Sequence, residues 1–259
     1  MIVNVTLLAA AAALQSIAFN QGTQVRRDSD SQVQTLRAAA AGTLDASPGL
    51  VETIQTGLAN DDASVRFLAM SALSHLTLKA VAGVPLGSDP RLSRSLKATL
   101  LKTLEDPDSR VRGAAVKTLA LLTRWPDATL EEKLVDAAAV EVNLRVKALI
   151  IHELGVNTGR SLAARSAIRV ALQDGSSDVR QNAALAATEL GDPLAIPVLA
   201  DELQSGDPHR RGELAHALSR FGPIAKPYIS LLQSLLLNEV RPNVTQHIKD
   251  AILAIQSSR

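Results

Sequence analysis

The sequence predicts an all-helical fold, an α-solenoid of about six to seven stacked helical hairpins, and three observations predict it. The apolar content, 46% of 259 residues, comes from Ala and Leu, with only 2% aromatic residues, and Ala and Leu are strong helix formers. Apolar positions recur at the three- and four-residue intervals of one helix face. That pattern then returns every 31 to 35 residues, with a single longer step of 46, the mark of a repeat architecture. No stretch alternates with the period of a strand.

The chain opens with a segment of another kind. Residues 1–18 form an Ala- and Leu-rich run without charge, and Ser16 and Ala18 occupy the small-residue positions that precede a signal-peptide cut. The run lacks the basic start of an export signal and is short for a membrane span of roughly 20 residues. Packing as a first helix is the competing reading. Cleavage implies a secreted or periplasmic protein, and retention implies a cytoplasmic one. Residues 19–30 read as a polar linker, and the mature chain has no integral membrane span. Residues 31–259 are the solenoid.

Each repeat is anchored by a residue followed by apolar positions at +4, +7, +8 and +11. Val65 leads Ala69, Ala72, Leu73 and Leu76; Val111 leads Ala115, Leu119 and Leu122; Val179 leads Ala183, Ala186, Ala187 and Leu190; Val244 leads Ile248, Ala251, Ile252 and Ile255. Weaker copies start at Val33, Leu144 and Arg210, with Arg37 and Arg210 placing charges in apolar slots. Second helices are expected over 91–104, 128–138, 161–172, 194–203 and 224–237. Gly191-Asp192-Pro193, Gly206-Asp207-Pro208, Gly222-Pro223 and Asp106-Pro107-Asp108 supply the turns. Three residues before the anchors stand the expected N-caps Asp30, Asp62, Asp108, Ser176 and Asp207, with Glu141 as a poorer one. One apolar face per hairpin is buried only by stacking on its neighbours.

The Asp-x-x-Val-Arg opening, the Ala-rich first helix and the Gly191-Asp192-Pro193-x-Ala-Ile-Pro-x-Leu second helix resemble HEAT repeats of the armadillo type, most of all the short bacterial kind shared with phycobilin lyases. The resemblance covers about residues 31–256 and implies a right-handed solenoid whose second helices line the concave, ligand-facing side. It implies a structural role for the Arg after each anchor, here Arg66, Arg112, Arg145, Arg180 and Arg211.

Composition and motifs narrow the function. With 27 basic and 26 acidic residues the net charge is +1, and there is no Cys. No overall field draws the chain to nucleic acid, and thiol chemistry and disulfides are excluded. None of the five His falls in H-E-x-x-H, and neither G-x-S-x-G nor a phosphate-binding loop occurs. No catalytic residue, metal or cofactor is called for. The expected function is a non-catalytic scaffold that holds another protein on its concave face. A lyase-like or chaperone-like protein acting on a bilin, and a nucleic-acid clamp using a local basic face, are the alternatives. The candidate partner-binding residues are Arg91, Arg94 and Lys97 on one second helix, Arg160, Arg165 and Arg169 on another, and Trp125 at a hairpin turn. Such cations fit a partner with an acidic surface.

Overall fold

The computed structural model describes residues 30–45, 47–81, 98–122, 128–158, 161–205 and 207–257. All regular structure among them is helical. The helices are α1 (30–40), α2 (Pro48–Leu58), α3 (Ala63–Val81), α4 (98–103), α5 (Ser109–Leu122), α6 (Ala128–Val140), α7 (Leu144–Glu153), α8 (Leu162–Ala171), α9 (Ser177–Glu189), α10 (Ala195–Ser205), α11 (Arg211–Ser219), α12 (Ile229–Asn238) and α13 (Pro242–Ser257). They alternate between first and second helices of hairpins, as an α-solenoid requires. The chain forms two units, residues 1–99 and 100–259. The segment 1–18 and most of the linker lie outside the described residues.

In the first unit, Leu36 and Ala39 of α1 are buried and Val33 is half-buried. The face of α1 therefore runs 33, 36, 39, and Arg37 points to solvent; the expected charge in an apolar slot disappears with the corrected register. Gly57 is required by close packing. A Cβ there would lie 2.9 Å from both Leu36 Cδ1 and Ala69 Cβ, tighter than two carbons approach.

In the second unit, the first helices α5, α7, α9, α11 and α13 pack on one another in succession, and α8 and α10 pack on α9. Helix α9 meets α7, α8, α10 and α11 and is the most enclosed. Its Val179, Ala183, Ala184, Ala186 and Ala187 are wholly inaccessible. Small side chains let so many neighbours approach. Between α7 and α8 the chain widens into a π-type turn, Leu154–Thr158, where Gly155 lies against α9. A Cβ on Gly155 would sit 2.4 Å from Ala186 Cα, so only glycine fits.

One anchor moves. Leu144 is 51% exposed, whereas Val146 is buried, so Val146 anchors the fourth repeat. The register expected from Arg210 holds: Leu214, Ala217 and Leu218, at +4, +7 and +8, are buried. Gly212 of the same helix is closely packed; a Cβ on it would meet His247 Nδ1 at 2.5 Å. The anchors Val111, Val146, Val179, Arg210 and Val244 are spaced 35, 33, 31 and 34 residues apart.

Candidate partner-binding surface

The loops that join successive repeats share one construction. A side-chain oxygen accepts the N–H two residues on: Asn60 from Asp62 (2.8 Å), Asp106 from Asp108 (2.8 Å), Glu141 from Asn143 (2.8 Å), Asp174 from Ser176 (2.9 Å) and Glu239 from Arg241 (3.1 Å). The second residue of each pair then stands three before the anchor. Asp62 and Asp108 cap as expected, accepting from Ser64 N–H (2.7 Å) and Arg110 N–H (2.8 Å). Asn143, rather than Glu141, caps α7, accepting from Arg145 and Val146 N–H. Asp207 also caps as expected, accepting from His209 N–H (2.8 Å), whereas Ser176 makes no side-chain cap bond. Asp30 already lies inside α1.

The Arg after the anchor closes the same loop. Arg66 donates to the carbonyls of Asn60 and Asp61, Arg112 to those of Asp106 and Pro107, and Arg180 to those of Asp174 and Gly175, all between 2.8 and 3.1 Å. The cation also reaches onward. Arg112 grips Glu141 through Nε (2.7 Å) and a terminal nitrogen (2.6 Å), Lys147 pairs with Asp174 (2.7 Å), and Arg211 reaches Glu239 (3.5 Å). Each tie joins one repeat to the loop of the next. Lys147 holds the place expected of Arg145, because the anchor is Val146. Arg180 differs: it binds Glu202 of α10, which Ser177 (2.5 Å) and Gln181 (2.9 Å) also contact.

These contacts set the charge states. Burial alone raises a carboxyl's pKa, yet Glu141 ends below its ordinary value because Arg112 and two backbone N–H groups bond the charged form. Glu202 is lowered against its burial by Ser177, Gln181 and Arg180. Asp174 is lowered by Lys147. Glu239, bonded foremost by Arg241, is held at about 2.

Helices α6 and α8 are packed neighbours, and the Glu131 carboxylate accepts Ser161 N–H at 3.2 Å across their N-terminal ends. The outward face of α6 carries Glu132, Asp136 and Val140; that of α8 carries Leu162, Ser166, Arg169 and Val170. Val140 is 78%, Leu162 82% and Val170 73% exposed. A shallow depression of about 500 Å³ is lined by Ser166, Arg169, Val170, Gln173 and Asp174.

Of the candidate residues, Arg91, Arg94, Lys97, Trp125 and Arg160 lie outside the described residues. Arg165 and Arg169 are both on α8. Arg165 is half-buried. Arg169 bonds Asp192 at 2.6 Å, and this carboxylate also accepts Leu194 N–H (3.2 Å) in the turn that opens α10. The exposed apolar residues of α6 and α8 were missed by the sequence reading, which sought charge and aromatic rings. Their signal was present as Leu162 and Val170 standing off the buried 164, 168, 171 face. Among the described residues no three His, Asp or Glu side chains are placed to hold a metal ion, and no helix is long and apolar enough to cross a membrane.

Comparison with known proteins fits this geometry. No curated protein matches the sequence. The Escherichia coli protein YibA is similar in structure, with a TM-score of 0.59 and 18% identity over 81% of this chain and 69% of its own. Two engineered proteins are also similar, one with a TM-score of 0.58 at 20% identity (80% of this chain, 97% of its own) and one with 0.57 at 22% (80% and 98%). These likenesses concern the fold. The family of HEAT repeats matches residues 131–219 and 166–252; the match does not extend to the closer likeness with phycobilin lyases. The loop frame and the family match meet over residues 131–252, and this part of the chain is built of HEAT repeats.

Proposed function

We propose that the protein is a non-catalytic scaffold that holds another protein on the outward faces of α6 and α8. The observation that carries this reading is that Val140, Leu162 and Val170, three large apolar side chains on the packed neighbours α6 and α8, are more than 70% exposed. Exposed apolar side chains favour an interface, since covering them removes apolar area from water. Arg165 and Arg169 lie at the edge of this surface. Arg169 is partly neutralised by Asp192, so apolar contact dominates and Arg165 supplies the cation for an acidic rim on the partner.

The test is capture of partners from the native source by the parent chain and by the double variant Leu162→Glu, Val170→Glu. A partner bound by the parent and retained at less than a tenth by the variant, with unchanged helical content, is the expected result. Equal retention by both chains overturns the assignment to this surface.

A further inference from the structure

The α6 end of this surface runs into a cleft of about 530 Å³. It lies where the loop before α5 and the loop before α7 approach each other, wholly within residues 100–259. Its apolar lining includes Leu104, Pro107, Val140 and Val142. Val142 is 86% exposed and Val140 78%, so two branched side chains stand in water beside a ready-made hollow. The hollow is large enough for one or two side chains of a bound segment.

Carboxylates outnumber cations around it, Glu105, Asp106, Asp136 and Glu141 against Arg112 and Lys133. Both cations are paired. Arg112 spends its donors on Glu141 and on the carbonyls of Asp106 and Pro107, and Lys133 pairs with Glu105 at 3.3 Å. Asp136, exposed on α6, makes no hydrogen bond or ion pair among the described residues. The cleft thus presents an apolar wall, excess negative charge and an uncommitted carboxylate at one side.

We propose that this cleft takes a segment of the partner protein in which a basic side chain lies next to an apolar one. The apolar side chain enters between Val140, Val142 and Pro107, and the cation meets Asp136. An acidic segment is repelled by the same rim, which makes the site selective. The proposal rests on the scaffold reading above and names the partner's chemistry at one end of that surface.

The experiment uses the full chain and a fluorescent ten-residue peptide of alternating Arg and Leu, with Glu–Leu and Arg–Ser peptides of the same length as controls, read by anisotropy. The expected result is binding of the Arg–Leu peptide alone. Asp136→Lys and the pair Val140→Ser, Val142→Ser should each weaken it at least fivefold with helical content unchanged. These side chains are exposed, so the variants are expected to fold; Asp136→Asn gives a milder second reading. Equal binding by parent and variants, or equal binding of the Glu–Leu peptide, overturns the proposal. So does loss of a parent dimer in the valine variant, which would make a second copy the occupant. If Leu162→Glu, Val170→Glu abolishes partner capture while the Arg–Leu peptide fails to bind, the scaffold reading stands and the cleft assignment alone falls.

Discussion

The Arg112 guanidinium of α5 holds the Glu141 carboxylate of the next repeat through two nitrogens, at 2.7 and 2.6 Å, and the Glu141 side chain is only 3% exposed. A parallel two-point grip of this kind is the strongest form of charge-assisted hydrogen bond. Its value depends on both partners being present, because a buried carboxylate left alone keeps its desolvation cost.

Arg112→Met should therefore destabilise the fold by about 3 kcal/mol. Adding Glu141→Gln to it should cost less than the sum of the two single changes, since the second change removes the stranded charge. Chemical denaturation of the four chains measures the difference; strict additivity would show that the pair is not coupled.

Two glycines make an opposed pair. Gly155→Ala forces a methyl group into Ala186 of α9, 2.4 Å from its Cα, and should cost about 3 kcal/mol or more through displacement of packed backbone. Nothing lies within 4 Å of the corresponding point on Gly175. Gly175→Ala should be neutral or stabilise by up to about 1 kcal/mol by reducing the freedom of the unfolded chain. Melting curves that place both variants together would contradict the packing described for α9.

The caps of α7 and α9 differ in the same testable way. Asn143 accepts two backbone N–H groups, and Asn143→Ala should cost about 1 kcal/mol. Ser176 stands at the equivalent place without a side-chain cap bond, so Ser176→Ala should fall within about 0.5 kcal/mol of the parent. Denaturation midpoints compare the two directly.

Acid should loosen the inter-repeat ties. Arg241 holds Glu239 at about 2, and Arg110 does the same for Asp108; Glu141, Asp174 and Glu202 also lie below their ordinary values. Carboxyls depressed by folding stabilise the native state above their unfolded pKa, and that contribution is lost as pH falls through the folded value. The melting temperature should hold from about pH 8 to 5 and drop between about 4.5 and 2. Glu239→Gln should melt lower at neutral pH and show a shallower acid decline. An acid decline identical to the parent's would remove Glu239 from the group that drives it.

The helical fold and its period were legible because burial follows the sequence pattern closely. Val179 with Ala183, Ala186 and Ala187, and Val244 with Ile248, Ala251, Ile252 and Ile255, are all buried where the spacing puts them. The fourth register was not legible. Leu144 is as apolar as Val146, and only the position of Asn143 in the loop frame tells them apart. Glu141 resembled a weak cap because a carboxylate three residues before Leu144 fits that role; its actual bonds, to Asn143 N–H and to Arg112 29 residues earlier, depend on the stacking of repeats. The candidate surface was legible only in part. Charge runs such as Arg165 and Arg169 stand out in a sequence, but the pairing of Arg169 with Asp192 depends on how α8 lies against the next turn, and exposed valines look like core until a structure places them.

The ties between repeats span almost constant distances along the chain: 29 residues from Arg112 to Glu141, 27 from Lys147 to Asp174 and 28 from Arg211 to Glu239. Excision of residues 142–174 would leave Glu141 two places before Ser176, which recreates the loop frame and leaves Arg112 its carboxylate. A chain wired in this manner can gain or lose a whole hairpin by duplication or deletion of its coding segment, with each new junction already compatible. Its length is open to evolutionary adjustment in steps of one repeat, while a shift of a few residues breaks the frame at once.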